Sequence, residues 1–249
     1  MRVGVFKFSS CDGCQLAFFD VLEELLKSRE IQIEFFLEAQ SINRFDTFDV
    51  SFVEGSVSTE EEEERIRQIR ESSRYLVSIG ACAVSGGIQS IRNFLDFETL
   101  KNEVYNYVDL HNSLPTSRPI SDYVKVNYEV RGCPINAFEL VEIVTSIILN
   151  KSLTVNLNPV CVECKAKGNI CILVLGSPCL GPITASGCGA LCPSFKRGCY
   201  GCFGPLRGSN FEGLKQIFKE RGWDFQESIL SSFNSYNKNF RDEVWKLGS

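Results

Sequence analysis

Eight of the chain's 12 cysteines fall within the 42 residues from Cys161 to Cys202, and the other 207 residues hold only four. This crowding constrains the fold more than any other feature. The spacing is C-x2-C-x6-C-x7-C-x8-C-x3-C-x6-C-x2-C. In an oxidising compartment 12 thiols could form six disulfides, whereas in a reducing one grouped cysteines more often bind metal or carry redox chemistry. The N-terminus, MRVGVFKFSSCDGC, lacks a signal-peptide pattern, and no run of about 18 apolar residues suggests a membrane span. A cytoplasmic location is therefore expected. At 249 residues the chain is long enough to need no disulfide staples. A net charge of −5 speaks against nucleic acid as a partner.

Residues 1–150 alternate strand and helix patterns. Strands are expected at Arg2–Phe8, Ile31–Leu37, Asp49–Glu54, Tyr75–Ile79 and Tyr123–Val130. A helix should follow the first strand, with Leu16, Phe19, Leu22, Leu25 and Leu26 on its apolar face. Ser58 and Glu61 fit a capping box opening the run EEEEERIRQIR, in which Glu61–Arg65 and Glu63–Arg67 can pair. Residues 101–123 read as an irregular surface excursion holding His111, the single histidine, expected at the surface. Ala137–Leu149 is a strongly apolar helix. Strands alternating with helices imply a flavodoxin-like, doubly wound parallel sheet.

From residue 151 to 249 the character changes. Gly and Pro rise, and short helices are expected only around Leu214, Ile217 and Phe218, ending near Gly222, and around Phe225, Ile229, Leu230 and Phe233. Such a segment is too irregular to fold on an apolar core alone, so something else must hold it together.

On that map the first four cysteines follow strand ends. Cys11 and Cys14 follow the first strand, Cys82 the fourth and Cys133 the last. In an open parallel sheet those carboxyl ends share one edge, where ligands bind. Gly13, Gly80, Gly86, Gly87 and Gly132 flank them, as close backbone approach to a bulky group requires. A lone core cysteine explains Cys82 or Cys133 singly, and a redox CxxC explains Cys11 and Cys14, but neither explains all four. The eight later thiols suit two tetradentate sites. Structural zinc is one reading and iron–sulfur cubanes are the other, and spacing alone does not decide between them. Cys171, in NICILVLG, could also be plain core.

The motifs CDGC, EGSVS, GACAVSGG and RGCP, followed by PVCVEC, PCLGP, GCGALCP and GCYGC, resemble the small subunit of nickel–iron hydrogenases. The tail resembles the cytoplasmic NAD(P)-linked branch, the sulfhydrogenase delta subunit. The resemblance covers roughly residues 1–205. It implies three 4Fe–4S clusters: a proximal one on Cys11, Cys14, Cys82 and Cys133, a distal one on Cys161, Cys164, Cys171 and Cys179, and a medial one on Cys188, Cys192, Cys199 and Cys202. A crossed pairing within the last eight stays open. Glu54 is expected near the interface with a large subunit holding the nickel–iron centre, the alternative being a solvent-facing strand-end carboxylate. The resemblance further implies a heterotetramer with a flavin/NAD(P)-binding subunit and a further iron–sulfur subunit. In it this chain transfers electrons only and supplies no catalytic residue. Deazaflavin-, heterodisulfide- or ferredoxin-linked acceptors are alternatives, as is, from another class, a zinc-stabilised binding module.

Overall fold

Buried on both faces, the central strands of a parallel sheet carry almost continuous apolar sequence, and RVGVFK and FDVSFVE have this character. A computed structural model describes residues 1–27, 31–105, 112–151 and 158–225. His111 and the segment holding Ile229, Leu230 and Phe233 lie outside the described residues. The chain forms two compact units, Met1–Ser152 and Leu153–Ser249.

The first unit runs β1 (Arg2–Lys7), α1 (Gly13–Lys27), β2 (Gln32–Phe36), β3 (Phe48–Glu54), β4 (Val57–Thr59), α2 (Glu60–Glu71), β5 (Ser73–Ile79) and α3 (Gly80–Ser85). A 3-10 turn at Ile88–Phe94 then precedes α4 (Phe97–Tyr105), β6 (Ser113–Arg118), β7 (Tyr128–Val130) and α5 (Ala137–Ile148). Five strands make one parallel sheet in the order β2-β1-β3-β5-β7. Counting only those strands, this is the flavodoxin-like order, whose switch point lies between β1 and β3. On one face Phe18 of α1 meets Phe36 and Phe52 edge-on, with ring centroids 5.8 and 5.2 Å apart. On the other, Ile66 and Ile69 of α2 pack with Phe6, Phe48, Val53, Leu76 and Ile120.

Several expectations need correction. The buried stripe of α1 is Phe18, Val21 and Leu25, while Leu16 and Leu26 face outward. The capping box sits one residue later. Glu62 donates its amide to Thr59 Oγ1 at 3.2 Å, and its carboxylate accepts from the Thr59 and Ser58 amides. Arg67 pairs with Glu63 at 2.6 Å, but Arg65 turns inward over the Phe8 ring and reaches the Lys7 carbonyl. Within 101–123, the described residues 112–123 are not an irregular excursion, because β6 pairs antiparallel with β4 and Ile120 is fully buried. The last strand of the large sheet is confined to Tyr128–Val130, since Tyr123, Val124 and Val126 pack against the α2-side core instead of pairing.

The second unit holds α6 (Val160–Ala166), a 3-10 turn at Gly181–Ile183, α7 (Leu191–Ser194) and α8 (Phe211–Glu220). It has more apolar cohesion than its composition suggested. Leu180, Ile183, Phe211, Leu214, Phe218 and Phe225 form a small core. Phe218 meets Trp223 and Phe225 edge-on, at 5.4 and 5.1 Å. The cysteines lie mostly outside that core, Cys179 and Cys199 joining a second cluster with Val160, Ile172 and Ala190.

Candidate metal centres

The carboxyl edge of the large sheet gathers the first four cysteines. β1 ends at Lys7, and the chain turns through Asp12 in the left-handed region (φ 67°) before α1. Lys7 Nζ fixes that turn by pairing with Asp12 Oδ2 at 2.5 Å. Cys14 is buried in the first turn of α1 and Cys11 is exposed. Cys82 lies in α3, directly after β5, and Cys133 is exposed after β7. The thiols act on one another. Burial pushes Cys14 far up, and the charges of Glu54, Cys82 and Cys133 push the same way. Burial raises Cys82 to about 11, helped by Cys133 and Cys11. Cys133 is raised by burial, then by Cys11 and Glu54.

Two glycines keep the backbone close to sulfur here. Gly80 (φ +84°) stands where a Cβ would collide with Cys14 Sγ. At Gly87 (φ +63°) a Cβ would sit 2.5 Å from Cys82 Sγ. Glu54, the last residue of β3, is not solvent-facing, being only 1% exposed. Its Oε1 accepts the Cys14 amide at 3.1 Å, and its buried Oε2 has no hydrogen-bond partner among the described residues. Burial pushes its pKa up. Gln89, which belongs to none of the sequence motifs, joins two walls of the site. Its Oε1 accepts from Cys82 Sγ at 3.4 Å, and its Nε2 donates to the Ser9 carbonyl at 2.5 Å.

In the second unit, Cys161 and Cys164 lie on α6, one turn apart. Burial raises Cys161 to about 11, with contributions from Cys179, Cys171 and Cys164. Cys179 is raised by burial and also feels Cys171 and Cys164. These four therefore share one neighbourhood, and Cys171 belongs to it although exposed. The remaining four fall into pairs. Cys192, raised by burial, feels Cys188. Cys199, raised well above its ordinary value by burial, feels Cys179 and Cys202. The Cys199 amide also donates to Cys179 Sγ at 3.2 Å, which ties the two sets together.

Among the described residues no three His, Cys, Asp or Glu side chains are arranged around a single metal ion. Four thiolates on one tetrahedral zinc would lie about 4 Å apart, given Zn–S bonds near 2.3 Å. A cubane holds its thiolates at separate corners and spaces them more widely. An all-thiol donor set, with one group of four at the sheet edge and another around Cys161 and Cys179, and with glycine backbone close to sulfur, fits such a cluster. Among the described residues no helix is long and apolar enough to cross a membrane.

A family model described as NADH ubiquinone oxidoreductase, 20 Kd subunit, matches residues 11–147. Sulfhydrogenase 2 subunit delta of Pyrococcus furiosus is 36% identical over 228 residues, covering 88% of this chain and 93% of the relative. One subunit of the F420-non-reducing hydrogenase of Methanothermobacter marburgensis is 28% identical over 254 residues, covering 87% of this chain and 82% of the relative. NAD-reducing hydrogenase HoxS subunit delta of Cupriavidus necator is 29% identical, covering 59% and 78%. Among solved structures, the actinobacterial-type NiFe-hydrogenase from Ralstonia eutropha H16 shares the fold with a TM-score of 0.59 at 15% identity, covering 98% of this chain and 90% of that one.

Proposed function

The chain belongs to the family of the NADH ubiquinone oxidoreductase 20 Kd subunit, as a hydrogenase small subunit, and from that premise we propose that it relays single electrons between a nickel–iron large subunit and an NAD(P)-reducing partner. The relay would use three 4Fe–4S clusters. Cys11, Cys14, Cys82 and Cys133 would hold the proximal one. Cys161, Cys164, Cys171 and Cys179 would hold the distal one, and Cys188, Cys192, Cys199 and Cys202 the medial one. The observation that carries the reading is the meeting of four thiols from three strand ends at one sheet edge, beside the switch point.

Such clusters, when bound, take up and release one electron at a time without bond chemistry by the protein. The chain's own residues do the rest. The cysteines bind, and Gly80 and Gly87 let the backbone close over sulfur. The surroundings of Cys14, Cys179 and Cys199 exclude water, which adjusts potential. Glu54 holds the turn between Cys11 and α1 through the Cys14 amide. Its unpaired Oε2 would accept a donor from the large subunit.

The complex would be a cytoplasmic heterotetramer with the large subunit, a flavin/NAD(P)-binding subunit and a further iron–sulfur subunit. A second acceptor reading has its own support. The F420-non-reducing relative matches 87% of this chain, against 59% for the NAD-reducing one. Anaerobic purification with co-isolating subunits tests both. About 12 irons per chain, four for each cubane, with nickel in the partner and hydrogen-driven NAD(P)+ reduction, support the proposal. Reduction of another acceptor only would select the second reading. About two zincs per chain and no iron would reject both.

A further inference from the structure

Glu163 stands between Cys161 and Cys164 on α6, yet its carboxylate serves another segment. Its Oε1 accepts the Gly187 amide at 2.9 Å and its Oε2 accepts the Ala190 amide at 3.1 Å. The same Oε2 lies 4.0 Å from Cys188 Sγ. The loop it grips carries one residue in an unfavourable backbone conformation. Gly187 has φ +140°, which glycine adopts freely, whereas Ala190 has φ +52°, in the left-handed region that an alanine's Cβ disfavours. A two-pronged carboxylate, each prong accepting one N–H, offsets such a cost because hydrogen bonds to charged groups are the stronger kind.

We infer that Glu163 is a positioning residue that locks the Gly187–Ala190 loop, and Cys188 with it, to the helix bearing Cys161 and Cys164, and that its negative charge sets the electronic surroundings of the Cys188 sulfur. The second half rests on the reading of these cysteines as cluster ligands. A carboxylate at this distance opposes the arrival of an electron, so the centre held by Cys188 has a lower potential than it would beside a neutral group. One side chain between two ligands of one centre thereby fixes both the placement and the potential of the next.

Two variants of the full complex, kept anaerobic, separate grip from charge. Glu163→Gln keeps the shape but loses the charge, and one prong becomes a donor facing an amide N–H. Hydrogen exchange of the 187–190 amides should then quicken about tenfold, the equivalent of one lost hydrogen bond. In redox titrations followed by electron paramagnetic resonance, one second-unit centre should move to a more positive potential while the first-unit centre stays put. Glu163→Asp keeps the charge but is too short to hold both amides, so exchange should quicken while the potential stays near wild type. Unchanged exchange in both variants, or equal potential shifts at all three centres in Glu163→Gln, would overturn the inference. Wild-type protein loaded with zinc would reject the function instead, and the exchange measurements would still decide whether Glu163 grips the loop.

Discussion

Cys14 has the most enclosed sulfur of the first four, in the opening turn of α1 and pressed on one side by Gly80. Cys14→Ser should abolish hydrogen-driven dye reduction and lower iron by about four atoms per chain. Near-normal rates in that variant would remove Cys14 from the relay. Gly80→Ala tests the same spot from the other side. The substitution places a Cβ against Cys14 Sγ and costs about 1–2 kcal/mol for the left-handed backbone alone. The expected result is a lower thermal midpoint with iron lost from the first unit. That the first four cysteines gather at one sheet edge was legible in the sequence, because their positions after strand ends follow from chain topology. Glu54 was legible only as a motif residue. Whether a carboxylate at a strand end is buried depends on what covers that edge, and no local pattern records it. Glu163 was not legible at all, because it binds backbone amides 24 and 27 residues away, which carry no side-chain signature.

Among elements, α5 starts at Ala137 as the sequence pattern expects, whereas the cap of α2 is shifted by one. Ser58 and Thr59 are each followed by glutamate at the right interval. The choice falls on Thr59 because β4 ends on it and Glu60 opens the helix, so Thr59 has the extended backbone (φ −133°, ψ 158°) of a cap directly before the first helical residue. Thr59→Ala should destabilise the first unit by about 1 kcal/mol, while Ser58→Ala leaves the Thr59 cap in place. Thermal midpoints of the two variants, compared under one set of conditions, distinguish them. α1 shows the limit of periodicity. Leu16, Phe19 and Leu26 make as good a helical stripe as Phe18, Val21 and Leu25, and only docking on Phe36 and Phe52 selects the second. β6 was missed because its edge pairing with a three-residue strand leaves no alternating pattern in SLPTSR.

For the whole molecule, the two units differ in what holds them. The first has an extensive apolar interior on both faces of its sheet, whereas the described residues of the second have the six-residue core around Phe218, a smaller cluster around Val160 and eight cysteines. Removing iron with a chelator should therefore loosen the second unit more than the first, since metal-binding free energy is folding free energy where apolar burial is scarce. Hydrogen exchange resolved over residues 158–225 and over residues 1–105 checks this, and equal loosening of both units would contradict it. The exposure of Cys11 and Cys133, beside buried Cys14, has a consequence for biogenesis. Under the proposed function, a donor of iron and sulfide would approach from the bare side, and that is the side a large subunit would cover. On that reading loading would come before docking, and a chain joined too early would be sealed around an empty cradle that no later supply could fill.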